Sequence, residues 1–481
     1  MVFGPACEES RRCHSLMDDA APNPNCPGCQ ALLKRVERLE REMAELRVLL
    51  ERNSSNSGKP PSSDSPSQRA ERPSRPPSGK RPGGQPGHQA CQRAPVPAEQ
   101  VRRRERHDPR HCRSCAASLS SADEREPLRH QVIELPEIVP DVTEYVLGRR
   151  RCAKCQTITT ARLPTGVPRG LCGPRLSALI ALLTGVYHIS RRNTVALLDD
   201  VLGVKLSLGA LSKVEGKVSD ALGPAHAQAL ACVRRARVKH LDATSWSQNG
   251  VPRSLWTFAS RLGSVFVITA TATTDAVREL VGCVRGTLVT DRGSQFGFWA
   301  MEQRQICWAH LIRKFVAFAE SAQPAARRLG DALLLLAQSH IAFWHDVREG
   351  KRTRAQLREF VARLEPVFVG HLQRAVDEKV PGASGACANL LAHCGALFTY
   401  AFVEGVPPTN NHAERELRAF VLWRKQSAGT RSERGDRYAE RVMTVVHTLR
   451  KQGRHVLSYL EDACIAALRH TPTPALILPD P

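Results

Sequence analysis

The stretch Val238-Lys239-His240-Leu241-Asp242, read together with Thr287-Leu288-Val289-Thr290-Asp291, decides the fold. Each is a short run rich in β-branched and apolar residues that ends on an aspartate, the pattern of a buried strand with a carboxylate at its tip. Around these two runs, further strands are expected at Ser254–Ala259, Val265–Ala270 and Gln305–Trp308, and helices over Asp275–Val281 and from His310 onward. A third acid, Glu414, opens the helical segment Thr409-Asn410-Asn411-His412-Ala413-Glu414-Arg415-Glu416-Leu417-Arg418.

Three consecutive strands followed by helices and strands in alternation are the opening order of a ribonuclease-H-like mixed sheet. The expected fold class is therefore multidomain α/β, with such a core over 236–319. Amphipathic helices such as Leu333–Trp344 and Leu357–Val367 read as a helical insertion over 320–404, before the core resumes at 405–462 with the Glu414 helix and a helix over Tyr438–Tyr459. Residues 463–481 form a tail. Upstream, 170–232 is helical and helix-turn-helix-like. Its first helix runs from Ser190 to a stop at Gly203, and the next starts near Ser207, a layout suited to duplex DNA through Arg191, Arg192 and Lys213.

The cysteines organise the segment before that. Cys112-Arg113-Ser114-Cys115 and Cys152-Ala153-Lys154-Cys155 are two Cys-x-x-Cys knuckles bracketing strand-like runs at Arg129–Leu135 and Val142–Arg150. Four thiolates from two knuckles supply the tetrahedral sulfur shell of one structural zinc, so 107–165 reads as a zinc-ribbon-like domain. Cys26 and Cys29, with Cys7 and Cys13, leave a second site open within the otherwise disordered residues 1–30. Leu32, Val36, Leu39, Met43, Leu46 and Leu50 form an a/d seam of under three heptads, a short coiled-coil helix over 31–52 for self-association. Residues 53–106 are rich in Ser, Pro, Gly and Arg and cannot bury enough apolar surface to fold, which makes them a basic linker.

Charge points to the partner. A net charge of +22 and a pI near 9.8 call for a polyanion. No run approaches the roughly 18 apolar residues of a membrane span, and the start of the chain lacks the apolar stretch of a signal peptide, so the expectation is a cytoplasmic protein acting on nucleic acid rather than at a membrane.

Phosphodiester chemistry needs an attacking oxygen, an in-line leaving oxygen and neutralisation of the charge between them. Two magnesium (or manganese) ions on hard carboxylate oxygens supply all three. On this reading Asp242 bridges both ions, Asp291 holds one and Glu414 the other. Local readings compete: aspartates are common turn formers at strand ends, and Glu414 falls at the reciprocal position of a capping box if Asn411 is the N-cap. Arg415, Arg418, Arg424 and Lys425 suit phosphate contacts, as does His310, while Trp246, Trp256 and Trp299 read better as core than as base-stacking residues.

At these residues the chain resembles the bacterial insertion-sequence transposases of the IS66 family, within the DDE superfamily. The resemblance runs from about Cys26 to about Leu460. It rests on the heptad helix, Asn53-Ser54-Ser55-Asn56-Ser57-Gly58-Lys59-Pro60-Pro61-Ser62-Ser63-Asp64, Gly83-Gly84-Gln85-Pro86-Gly87-His88, the paired knuckles, Cys307-Trp308-Ala309-His310 and Asn410-Asn411-His412-Ala413-Glu414-Arg415. It implies that Asp242, Asp291 and Glu414 match the catalytic triad, and that Cys112, Cys115, Cys152 and Cys155 bind zinc. It also implies a nucleoid-associated homo-oligomer acting on element ends and target DNA, together with accessory proteins of the same element. One position departs: the family usually has Glu-Thr after the first aspartate, and this chain has Ala243-Thr244. That departure keeps open a second reading, a catalytically inactive DNA-binding repressor. A hybrid ribonuclease suits the core but leaves the zinc and helix-turn-helix regions without a role.

Overall fold

The computed structural model describes residues 30–31, 34–35, 38, 94–120 and 125–478. They divide into two compact units, one drawn from Leu163–Ser190 and Gly209–Pro481 with the few described residues before Ala70, the other from Glu71–Arg162 and Arg191–Leu208. No helix among the described residues is long and apolar enough to cross a membrane. The a/d seam and the cysteines before residue 30 lie outside the described residues, as does most of the linker; Ala31, Lys34, Arg35 and Arg38 are helical and exposed.

In the cysteine-bearing segment both knuckles adopt the same turn. The backbone N–H of Cys112 donates to the Ala117 carbonyl (2.9 Å) and that of Cys152 to Thr157 (2.9 Å). The residue after each second cysteine, Ala116 and Gln156, is left-handed, with φ of 57° and 60°. Strands β1 (Arg149–Arg151) and β2 (Ile158–Thr160) pair as a hairpin around the second knuckle. The strands expected at Arg129–Leu135 and Val142–Arg150 do not form, apart from the last two residues of the second. Their apolar residues stand in solvent, Val132 at 80% and Val142 at 85% exposed, and an alternating run without a partner sheet has nothing to hold it extended.

Four helices follow: α1 (Pro174–Gly185), α2 (Arg191–Leu202), α3 (Leu208–Ala221) and α4 (Gly223–Arg235). The division between the units separates α2 from α3.

The sheet comes next. Strands β3 (Val238–Gln248), β4 (Val251–Ala259), β5 (Ser264–Thr269), β6 (Thr287–Thr290) and β7 (Arg304–Ile306) lie in the order β5-β4-β3-β6-β7. The first three pair antiparallel, whereas β3–β6 and β6–β7 are parallel. Here the sequence reading needs correcting: Asp242 does not end its strand but sits inside an 11-residue one. The cause is the dipeptide Asn249-Gly250, whose positive φ values of 50° and 83° make a two-residue hairpin turn, so β3 runs on to pair Gln248 with Val251. The parallel pairing nevertheless stops at His240, so Asp242 still lies just past the shared end of the parallel strands.

Helix α5 (Thr274–Val281) connects β5 to β6. It starts at Thr273, whose hydroxyl accepts from the Ala276 N–H, and it stops at Gly282 with φ 66°. After β7 come α6 (Trp308–Ala319), α7 (Pro324–Arg348), α8 (Arg354–Asp377), α9 (Ser384–Leu391) and α10 (Thr399–Phe402), which build their own apolar core around Trp308, Phe315, Phe368 and Leu372. That core includes Val289 and Ile306 of the sheet, so the insertion is anchored on β6 and β7. The chain then returns through α11 (Asn411–Ser427) to the sheet, where Phe420 meets Phe266 (4.8 Å) and Trp246 (5.6 Å). The last helical stretch is two helices, α12 (Glu433–Lys451) and α13 (Val456–Arg469), broken at Gly453 with φ 64°.

Candidate active site

The ends of the parallel strands and the start of α11 build one neighbourhood. Asp291 follows β6 directly, and its Oδ1 accepts from the Gly293 N–H at 2.9 Å, which fixes the carboxylate at the turn. Asp242 projects from β3 and accepts from the Ala243 N–H at 2.9 Å. Glu414 lies in the first turn of α11. Its Oε1 is 3.1 Å from His310 Nε2 and 3.9 Å from an Arg313 nitrogen. The crevice past the carboxyl ends of parallel strands is where sheets of this kind bind ligands.

The capping-box explanation of Glu414 does not hold. The N-cap is Asn410, not Asn411, and the Asn410 side chain caps nothing. Its Nδ2 donates to the Leu241 carbonyl (2.9 Å), its Oδ1 lies 3.1 Å from His240 Nδ1, and its backbone N–H points at Cys307 Sγ (3.1 Å). Buried at 2% exposure, Asn410 ties β3, the end of β7 and α11 together, one residue from Asp242 and four from Glu414. The Trp308 N–H adds a bond to the Pro408 carbonyl at 3.0 Å.

The electrostatics follow from this gathering. Burial pushes the Asp242 carboxyl up to about 7, and the charges of Asp291 and then Glu414 push the same way against the Ala243 N–H. Glu414 is held below the usual carboxylate range, first by its hydrogen bond to His310 and then by the charges of His310 and Arg313. Burial raises the Cys307 thiol to about 11. Among the described residues, Cys307, His310 and Glu414 are the one set of three possible metal ligands whose atoms all lie within 4.8 Å. Asp242, Asp291 and Glu414 do not all come within that distance of one another, although the charges of the latter two raise Asp242.

Ala243 faces away from the acids. It pairs with Trp256, which pairs with Val267, whereas Asp242 pairs with Thr257 and through it with Phe266. Trp256 is fully buried against Phe296 (6.3 Å), and Ala243 packs on the same core. An alanine there therefore takes nothing from the face that carries Asp242.

The other sequence-derived candidates separate. Arg415, Arg418 and Lys425 are exposed on α11, but Arg424 turns back onto β3, bonding Thr244 Oγ1 (3.3 Å) and both oxygens of Ser245. That gives it a fastening role. Arg191, Arg192 and Lys213 are exposed on α2 and α3. Trp246, Trp256 and Trp299 are core, none more than 2% exposed. Cysteines pair within each knuckle, and hydrogen bonds lower the Cys112 and Cys155 thiols, the latter to about 7. No three of the four thiols come within 4.8 Å of one another.

Sequence reasoning missed two features. Asn410 was visible only as part of a motif, and its long-range role has no local signal. A buried group behind α11 was also missed: Glu416 binds His447 and Lys451 (3.1 Å), while Lys451 reaches His412 (2.7 Å), which stacks on His240 (4.7 Å). Burial would raise the Glu416 carboxyl, but these partners outweigh it and hold it at about 2.

Comparison with known proteins agrees with this geometry. The family model described as "Transposase IS66 family" matches residues 169–438, more than half of the chain, and includes all three acids. Residues 14–94 match a second model, a family of unknown function. None of the curated proteins matches the chain. With the match spanning the helices before the sheet, the sheet itself, the insertion and α11, the chain belongs to the IS66 family of transposases.

Proposed function

We propose that this protein cuts and rejoins DNA at the terminal inverted repeats of an insertion sequence, with Asp242, Asp291 and Glu414 holding two magnesium or manganese ions on a ribonuclease-H-like core. The observation that carries the reading is placement: Asp291 follows β6, Asp242 lies on the adjacent β3 and Glu414 on the helix that Asn410 bonds to Leu241, and after burial the charges of Asp291 and Glu414 raise Asp242 to about 7. Carboxylates gathered at that cost fit a cation site. When bound, the ions would supply charge neutralisation and an activated oxygen nucleophile.

The chain's own residues do the positioning. The Gly293 N–H orients Asp291, His310 and Arg313 orient Glu414, and Asn410 fixes the spacing of β3 and α11. Water first cleaves one strand, and the freed 3′-hydroxyl then attacks target DNA at the same site, as an oligomer across two ends. Exposed Arg191, Arg192, Lys213, Arg415, Arg418 and Lys425 contact phosphates. Cys112, Cys115, Cys152 and Cys155 would hold one zinc, which would supply the cross-link that the strandless segment between the knuckles lacks. The repressor alternative leaned on Ala243, and that residue faces the opposite side of the sheet.

The test is Asp291→Asn beside the parent, on labelled end-containing DNA with magnesium. Cleavage should fall by at least about 10²-fold with DNA binding intact. Unchanged cleavage would remove the site assignment.

A further inference from the structure

Beside the start of α11, and lined there by Asn411, His412 and Arg415, lies a cleft of about 1050 Å³. Its wall carries Arg235, Arg237, Arg261, Arg348, Arg415 and Lys451, and not one aspartate or glutamate. Lys451 is committed to Glu416. By contrast Arg235, Arg237 and Arg415 are exposed and make no side-chain hydrogen bond or ion pair among the described residues. A concave surface of one charge sign concentrates a polyanion far better than the same charges spread over a convex face.

The arrangement suits a chain of phosphates better than a single one. The arginines come from four separate places: the α4–β3 junction, the β4–β5 turn, the end of α7 and the first turn of α11. A lone phosphate is gripped by guanidinium forks that converge on it. Charges distributed along a wall instead track a backbone. The wall also presents Trp344, partly buried, with the Arg348 guanidinium 5.2 Å from its ring centroid and the His345 ring 5.1 Å away. An aromatic set in a basic groove is the stacking platform of proteins that hold unpaired strands. Duplex bases, already stacked on each other, have no face to offer it.

Position links the cleft to the chemistry. His240, in the wall, precedes Asp242 by two residues on β3, and Arg415 follows Glu414 directly. We propose that this cleft holds an unpaired stretch of DNA leading into the acid site, with Arg235, Arg237, Arg348 and Arg415 on its phosphates and Trp344 against a base. The inference rests on the reading of the acids as a DNA-cutting centre, but binding in the cleft needs neither the acids nor a metal.

The test uses the full-length protein in EDTA and a fluorescein-labelled 12-nucleotide oligothymidine, read by anisotropy at several salt concentrations. The variant R235E/R237E/R348E should bind about 10²-fold more weakly at 50 mM salt, with the slope of log K against log salt shallower by about 2, from three lost phosphate contacts at about 0.7 each. Trp344→Ala should weaken oligothymidine binding by roughly 10-fold and leave a blunt duplex unaffected. Matching melting curves establish that the variants fold. Unchanged affinity and slope in the triple variant overturn the proposal, as does equal weakening of single strand and duplex by Trp344→Ala. A parent protein that binds oligothymidine through these residues yet never cuts end DNA with magnesium sinks the cleavage reading alone.

Discussion

The Asn410 side-chain amide donates to the Leu241 carbonyl at 2.9 Å, so the residue that starts the Glu414 helix is bonded to the one that precedes Asp242. A buried amide thus ties together, close to both acids, two distant parts of the chain. Asn410→Ala leaves the Leu241 carbonyl and the His240 ring nitrogen without their partner and should cost about 1–3 kcal/mol in urea unfolding. Asn410→Asp keeps the shape but places an acceptor against the Leu241 carbonyl, and should be at least as destabilising. Both should raise the magnesium concentration needed for half-maximal end cleavage; an unchanged requirement would count against the positioning role.

Acid should destabilise the fold through its buried histidines. Burial holds His340 at about 3, and its Nδ1 lies 2.8 Å from the Tyr400 hydroxyl. Unfolded, the same ring titrates near 6.5. Between those values the unfolded chain takes a proton that the folded chain refuses, so the stabilisation is complete above 6.5 and is lost as pH falls toward 3. Burial likewise lowers His240 to about 3 and His188 to about 4. Asp242 and Glu440, both raised to about 7 by burial first, act oppositely and cost stability as pH rises from about 4 toward 7. The difference in melting temperature between the parent and His340→Phe isolates one group. It should shrink steadily from pH 7 to pH 4, and a constant difference would contradict the assignment.

Much of this was legible in the sequence, and the failures have physical causes. Asp291 was readable as a strand tip because its strand is short and a Gly293 turn follows at once. The full length of β3 was not, since the run past Asp242 mixes Ala, Thr and Ser, and only the Asn249-Gly250 turn marks the continuation. The two cysteine knuckles are local turns fixed by six residues each, so they formed as read. The strands between them depended on an absent partner, which alternation alone does not reveal. Glu414 as a capping residue was a sound local reading. It failed because the Asn410 side chain is spent on β3, a demand from far along the chain.

Close backbone approach makes Gly330 and Gly429, like Gly286, intolerant of any side chain. A Cβ on Gly330 would lie 2.2 Å from the Ala319 backbone nitrogen, where α7 crosses α6. One on Gly429 would lie 2.1 Å from the Ser247 carbonyl oxygen, and that residue also has φ of 98°. Gly429→Ala combines a clash with a left-handed backbone and should cost at least about 2 kcal/mol. Gly330→Ala should cost about 1–3 kcal/mol by forcing the two helices apart. Thermal melts of the two variants check both; a loss within 0.5 kcal/mol, roughly the level of a neutral surface change, would mean the helices or the turn can shift freely.

Zinc should be measurable directly. Protein purified without chelator should carry one zinc per chain by elemental analysis, and C112S/C155S should carry none. Loss of the metal should make the segment between the knuckles far more susceptible to protease, since nothing else there buries its apolar residues. Full zinc content in the double variant would assign the metal elsewhere.

The helical insertion between β7 and α11 has a consequence for synthesis. Two of the three acids leave the ribosome with the sheet, but the third follows only after the α6–α10 segment, whose core includes Val289 and Ile306 of β6 and β7. A polypeptide released between Asp291 and Glu414 would hold both aspartates yet lack the last carboxylate and the α11 and α12 side chains, Phe420 and Val442 among them, that pack on the sheet. Interrupted translation would thus yield a chain short of both its third acid and one side of its core, so the site and the fold are completed together.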